Sequence, residues 1–236
     1  MVHYYRIAGL IVKMDSFGRS LQQAEPYLIG FEPDHVDITI EPDCKRVLEI
    51  FPNLNDDDCM YMATGSDFYK QLLDYNGVRL HSSCVVVDGS AYFFTANSGT
   101  GKSTHTNLWL QIFGDRAFIL NDDKPALRLE DGVWYAYGTP WSGKHDISVN
   151  TRVPVGGIAC LERGEVNEIE PFGGYDAVLA ILRQSNKPKD AQCRMQLLEL
   201  LDKLISQVPV WKLRCNMEPE AAIVSYEAMS GKKWRD

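Results

Sequence analysis

The chain has 236 residues, 45% of them hydrophobic, enough for one large domain or two small ones around a sizeable core. A net charge of −8 argues against nucleic acid as the main partner, and the basic cluster Lys232, Lys233 and Arg235 reads as a solvated tail. The sequence has no apolar run of ~18 residues and no signal-peptide pattern, and its six cysteines form no C-x-x-C pair; it predicts a cytoplasmic protein with no membrane partner.

Residues 4–13 are rich in β-formers and predict one strand, and residues 36–41 alternate apolar and polar and predict another. Residues 59–65 predict a third strand. Ser66 then serves as the N-cap of a helix whose Phe68, Leu72 and Leu73 share a face and which stops at Gly77. Residues 1–77 thus predict a small α+β lobe that carries no catalytic constellation. Residues 78–236 predict a nucleotide-binding domain. It opens with two strands joined at Asp88-Gly89, a strong hairpin signal. A Gly-rich loop and a helix closed by Gly114 follow, then a strand over 117–121 that ends in Asp122-Asp123. A second hairpin turns at Asp131-Gly132, and residues 138–150 predict a polar loop. Two strands lie around Gly164. Two helices then end near residue 207, the second carrying Leu197, Leu201, Leu204 and Val208 as a core stripe. A strand over 210–215 and a helix opened near Pro219 complete the chain. Cys84 and Cys160, in apolar runs, read as small core residues.

The stretch ANSGTGKST, residues 96–104, carries the chemistry. Strand, Gly-rich loop, Lys-Ser and helix make the layout of a phosphate-binding P-loop. Backbone N–H groups of Asn97, Ser98, Gly99, Thr100, Gly101, Lys102, Ser103 and Thr104 would cradle phosphate oxygens, helped by the positive end of the helix. Lys102 would reach the β- and γ-phosphates of a nucleotide, and the Ser103 hydroxyl would ligate Mg²⁺. Ala96 replaces the usual first glycine, so φ there must stay negative and the loop entrance is expected to differ. The acidic pair at the end of the next strand stands where P-loop enzymes hold their metal. One of Asp122 and Asp123 would bind the ion and the other would accept a proton from an attacking hydroxyl. His81, before the strand that returns to the loop, is placed to approach the γ-phosphate.

Residues 80–84 (LHSSC), 93–103 (FFTANSGTGKS) and 119–137 (ILNDDKPALRLEDGVWYAY) resemble the nucleotide-binding core of the phosphoenolpyruvate carboxykinase fold. Both the ATP-dependent carboxykinases and the HPr kinase/phosphorylases share a His, a strand pair, a GxGKS-type loop and an Asp-Asp strand end. The likeness covers about residues 78–165. It implies an α/β fold with a mixed sheet and a carboxykinase-like P-loop core behind the small N-terminal lobe. It also implies ATP as donor and Mg²⁺, with Mn²⁺ as an alternative ion. Asp122 would match a catalytic base in the kinase branch and Asp123 a metal ligand in the carboxykinase branch, and the division stays open. His81 would match a metal ligand in one branch and a neighbour of substrate phosphate in the other. Lys144 stands about where the carboxykinases place a lysine, although their local wording is absent. Trp141, Lys144 and His145 are thus candidate substrate-loop residues, and Arg152 is a candidate phosphate clamp.

The reading favoured is a kinase transferring phosphate from ATP to a hydroxyl. The acceptor is a small molecule such as an amino acid or polyol, or a serine of a small carrier protein; the small molecule is favoured because residues 138–150 do not copy the protein-recognising parts of the HPr kinases. A nucleotide-sensing module without catalysis is disfavoured by the retained Lys102, Ser103, Asp122, Asp123 and His81. A carboxykinase-like decarboxylase is disfavoured by the short chain before the core. Related kinases assemble as rings, so the resemblance admits a homo-oligomer.

Overall fold

The computed structural model describes residues 2–235. Val2–Ile7 (β1) and Leu10–Asp15 (β2) pair antiparallel, and Ile38–Ile40 (β3) joins β2 in parallel. The single strand expected over 4–13 is therefore a hairpin. Its turn is Ala8-Gly9, with φ of 51° and 79°. Two left-handed residues in succession match the twist of the flanking strands. Alanine gives no turn signal there, so the apolar run reads straight through.

Gly18–Ala24 (α1) and Cys44–Ile50 (α2) are short helices, and Asp56–Gln71 (α3) is a long one. The strand expected over 59–65 and the helix start expected at Ser66 are both corrected by α3. Its true start is Asn55, whose side chain accepts the Asp58 N–H at 2.8 Å. Asp56, Asp57 and Asp58 then fill the first turn, where negative charge favours a helix. Gly65 sits inside α3 because a Cβ there would lie 2.9 Å from Trp141 Cδ1. Asn76, at φ 53°, ends the turn after α3, so the stop is one residue before Gly77.

The larger sheet contains Gly77–Arg79 (β4), Ser82–Val87 (β5), Ser90–Thr95 (β6), Ala117–Asp123 (β7), Ala126–Glu130 (β8), Val133–Tyr137 (β9), Arg152–Arg163 (β10), Glu168–Pro171 (β11) and Val210–Cys215 (β12). Its order is β4-β8-β9-β10-β6-β5-β7, with β12 also on β10 and β11 on β12. The strands around Gly164 do form, as β10 and β11, but β12 separates them. Pairing along β10 changes character. Arg152–Pro154 run antiparallel to β9; from Val155 the strand runs parallel to β6, with a register shift before Gly157, and from Ile158 parallel to β12. The protein is therefore a mixed α/β fold built on a mixed sheet.

Lys102–Phe113 (α4) and Glu220–Ser230 (α7) cover one face of this sheet, and Gly174–Gln184 (α5) and Ala191–Gln207 (α6) cover the other. Alternation of side chains divides the strands between the two cores. Val85, Val87, Tyr92 and Phe94 pack with Trp109 and Tyr226, whereas Cys84, Val86, Ala91 and Phe93 pack with Leu197, Leu201 and Leu204. A third core joins β1–β3 and α3 to Ala126, Tyr137 and Trp141. All six cysteines are free; Cys84 is buried and Cys160 half-buried. Among the described residues no helix is long and apolar enough to cross a membrane.

Candidate active site

Strand register assembles the site. Ser82 of β5 lies opposite both Thr95 of β6 and Asp123 of β7, and Ser83 lies opposite Asp122. One rung thus sets the last residue before the Gly-rich loop beside the end of the acidic strand. Ser83 Oγ and Thr106 Oγ1 of α4 share a hydrogen bond of 2.8 Å. A cavity of about 790 Å³ opens there, lined by His81, residues 98–104, Asp122, Asp123, Gly143, Lys144 and His145. Leu108, Leu161, Cys215 and Met217 add an apolar part to its lining.

The loop has the shape of an anion cradle. Gly99 and Gly101 have φ of +77° and +118°, and a Cβ on either would meet nothing within 4 Å. Packing leaves room for a side chain, so it is the left-handed backbone that calls for glycine here. Helix α4 starts at the loop with no side-chain cap and no acidic residue in its first turn. Its N–H groups and dipole are thus uncompensated, the reverse of α3, whose start is saturated by Asn55 and three aspartates. Lys102 Nζ bonds the carbonyls of Ala96 at 3.1 Å and Asn97 at 3.4 Å. Burial lowers the Lys102 pKa, while Asp123 and Asp122 pull it upward. Ala96 is absent from the residues with positive φ, as its Cβ requires. The outward carbonyls are taken by Arg163, whose Nε donates to Thr100 O at 3.0 Å and whose Nη2 donates to Gly99 O at 2.5 Å.

The two aspartates differ. Asp123 pairs with Lys124 Nζ and lies 3.5 Å from His81 Nε2 through Oδ1. Asp122 enters no ion pair among the described residues. Burial, then the Lys102 charge, lowers the His81 pKa, so the ring is neutral near pH 7. Its Nδ1 is 3.0 Å from Gln184 Oε1, which can only accept, so the proton belongs on Nδ1. Nε2 and Asp123 Oδ1 then converge as two acceptors, a donor set suited to a cation. Gln184 Nε2 donates to Asn97 Oδ1 at 3.2 Å and ties His81 to the loop. Among the described residues no three His, Cys, Asp or Glu side chains gather to hold a metal. An ion here would share its coordination with phosphate oxygens, the usual habit of Mg²⁺.

Behind the loop, His105 is buried and its pKa is lowered to about 3 by burial. His105 Nε2 lies 3.2 Å from Trp109 Nε1 and 3.1 Å from Ser225 Oγ, and its Nδ1 lies 3.7 Å from Cys215 Sγ. The rest of the expected residues divide. Lys144 and His145 line the cavity. Trp141 stacks on Phe68 at 4.8 Å and donates to Thr64 Oγ1 at 3.2 Å, in the core and not in the cavity lining. Arg152 pairs with Glu130 at 2.8 Å and lies over the Tyr135 ring, likewise outside the lining. Sequence reasoning missed Arg163, Gln184, Lys124 and Tyr61. Only the pairing of Cys160 with Thr95 in parallel register would have pointed to Arg163.

Over residues 47–220 the chain matches the family model described as SynChlorMet cassette protein ScmC. No curated protein matches. Among solved structures, the HPr(Ser) kinase/phosphatase from Coxiella burnetii is similar with a TM-score of 0.36 and 12% identity, over 65% of this chain and 95% of that one. That likeness is too loose to carry fold or function from one to the other.

Proposed function

The chain belongs to the family of SynChlorMet cassette protein ScmC, and we propose that it is a kinase that uses ATP and Mg²⁺ to phosphorylate a hydroxyl group. One observation supports this reading above the others: an open Gly-rich cradle and an unpaired carboxylate, Asp122, line one cavity. The motif resemblance of residues 78–165 to the carboxykinase-fold kinases points the same way.

In this reading the loop N–H groups and the start of α4 bind the phosphates. Lys102 leaves the loop carbonyls for the β- and γ-oxygens. Ser103 and Asp123 would hold Mg²⁺, which would neutralise charge on the transferring group. Asp122, which has no ion-pair partner at contact distance among the described residues, accepts the acceptor's hydroxyl proton. The acceptor oxygen bonds to the γ-phosphorus, the bond to the bridging oxygen breaks, and ADP leaves. Neutral His81 flanks the γ-phosphate without adding charge, and Arg163 keeps the loop carbonyls turned outward. The nucleoside lies toward Leu108, Leu161 and Met217. Lys144 and His145 face the acceptor, which the reading takes as a small molecule.

Calorimetry with Mg·ATP on the wild type and Lys102→Ala tests the nucleotide half; equal affinity in the two overturns it. Label from γ-labelled ATP, offered separately to pooled metabolites and to a protein extract, tests the acceptor. Label in the extract alone would replace the small molecule with a protein serine, and label in neither would remove the kinase reading.

A further inference from the structure

Gly143 is held through both backbone groups by residues distant in the chain. Its N–H donates to the Tyr61 hydroxyl at 2.9 Å, and its carbonyl accepts from Gln23 Nε2 at 2.9 Å. Gln23 is on α1 and Tyr61 on α3. The residue they hold lies on the acidic pair. A Cβ at Gly143 would come within 3.1 Å of Asp123 Cβ and 3.4 Å of the Asp122 carbonyl oxygen.

The holders are fixed in turn. The Arg19 guanidinium carbon lies 3.9 Å from the Tyr61 ring centroid and the Lys124 ammonium 4.8 Å from it. Arg19 pairs with Asp58, and Lys124 with Asp123. Gln23 is 5% exposed and its Oε1 has no hydrogen-bond partner among the described residues. A buried amide oxygen without a partner costs stability that a leucine would not. Packing alone therefore does not account for a glutamine here; its bond to Gly143 does.

We propose that Gln23 and Tyr61 are positioning residues of the acceptor site. They hold Gly143 against Asp122 and Asp123, and so anchor the segment 141–147 that would keep water from the γ-phosphate once nucleotide and acceptor are bound. The first α-helices thus complete a site whose chemistry lies in the larger sheet. The proposal rests on the kinase reading above. In an unsealed site, water takes the acceptor's place: its oxygen bonds to the γ-phosphorus, Asp122 takes the proton, and ADP and phosphate leave.

The test uses the full chain as wild type, Tyr61→Phe, Gln23→Leu and the double variant. Tyr61→Phe keeps the ring that Arg19 and Lys124 lie over and removes the hydroxyl that Gly143 and Lys124 donate to, and Gln23→Leu removes the partnerless amide oxygen together with the donor to Gly143. Amide exchange is followed in peptides 96–105 and 141–147, with and without Mg·ATP, together with phosphate release in the absence of acceptor. We expect exchange at 141–147 to quicken about tenfold and phosphate release to rise about fivefold, with affinity for Mg·ATP held within about twofold. A role in stability alone would lower phosphate release. Unchanged exchange at 141–147 in the double variant overturns the proposal, as does faster exchange with phosphate release level or lower. Failure of the kinase reading looks different: Mg·ATP would not slow exchange at 96–105 in the wild type.

Discussion

The two ends of the cavity are built in opposite ways. In the proposed kinase, the phosphates would lie on one unbroken stretch, residues 98–105, with backbone N–H groups as its working parts. The end proposed for the acceptor brings Gln23, Tyr61 and Gly143 together across 120 and 82 positions of chain. A phosphate is the same in every nucleotide, so a local backbone device serves for all of them. An acceptor differs from one enzyme to the next and must be met by side chains that the whole fold brings together.

The sharpest way to break this division is Asp122→Asn. It keeps the size of the side chain and removes the base. Transfer should fall by about 10²–10⁴-fold while calorimetry finds Mg·ATP affinity unchanged. Lost affinity would show that the two ends are not separable.

A second test concerns the support of the nucleotide end. The His105 pKa is lowered to about 3 by burial, so the folded chain resists the proton that the unfolded chain takes up near pH 6.5. The unfolded state binds more protons between these values, so stability falls as pH falls through that window. Denaturant unfolding should show about 2 kcal/mol lost from this group between pH 7 and pH 5. His105→Gln should flatten that slope; an equal slope in both would assign the acid sensitivity elsewhere.

The smallest expected effect belongs to Arg163. It grips two loop carbonyls but is exposed, so Arg163→Ala should weaken Mg·ATP about fivefold and Arg163→Lys should recover only part, since an ammonium cannot span both carbonyls. Equal affinity in all three proteins would mean the loop holds its shape without help.

The same division explains what the sequence makes legible. Asp88-Gly89 and Asp131-Gly132 announce their hairpins, and both turns have two left-handed residues. Ala8-Gly9 makes the same turn without a residue that signals it. The loop, its helix and the acidic strand end are read from neighbours in sequence. Residues 59–65 of α3 read as a strand because Cys59, Met60, Tyr61 and Met62 form a short apolar run with no helical period of its own. Only the tertiary surroundings, with Trp141 against Gly65, account for the glycine inside that helix. Trp141 likewise reads as a loop residue from its neighbours and as core from its contacts.

One strand, β10, belongs to both parts of the larger sheet, bonded to β9 at its start, to β6 from Val155 and to β12 from Ile158. Peeling away either set of neighbours strips β10 of partners that the other set needs in place. The strand acts as a common beam, and a fluctuation large enough to free one side leaves bare edges on both. The Gly-rich loop hangs from β6, directly on that beam, so its base moves only when the sheet does.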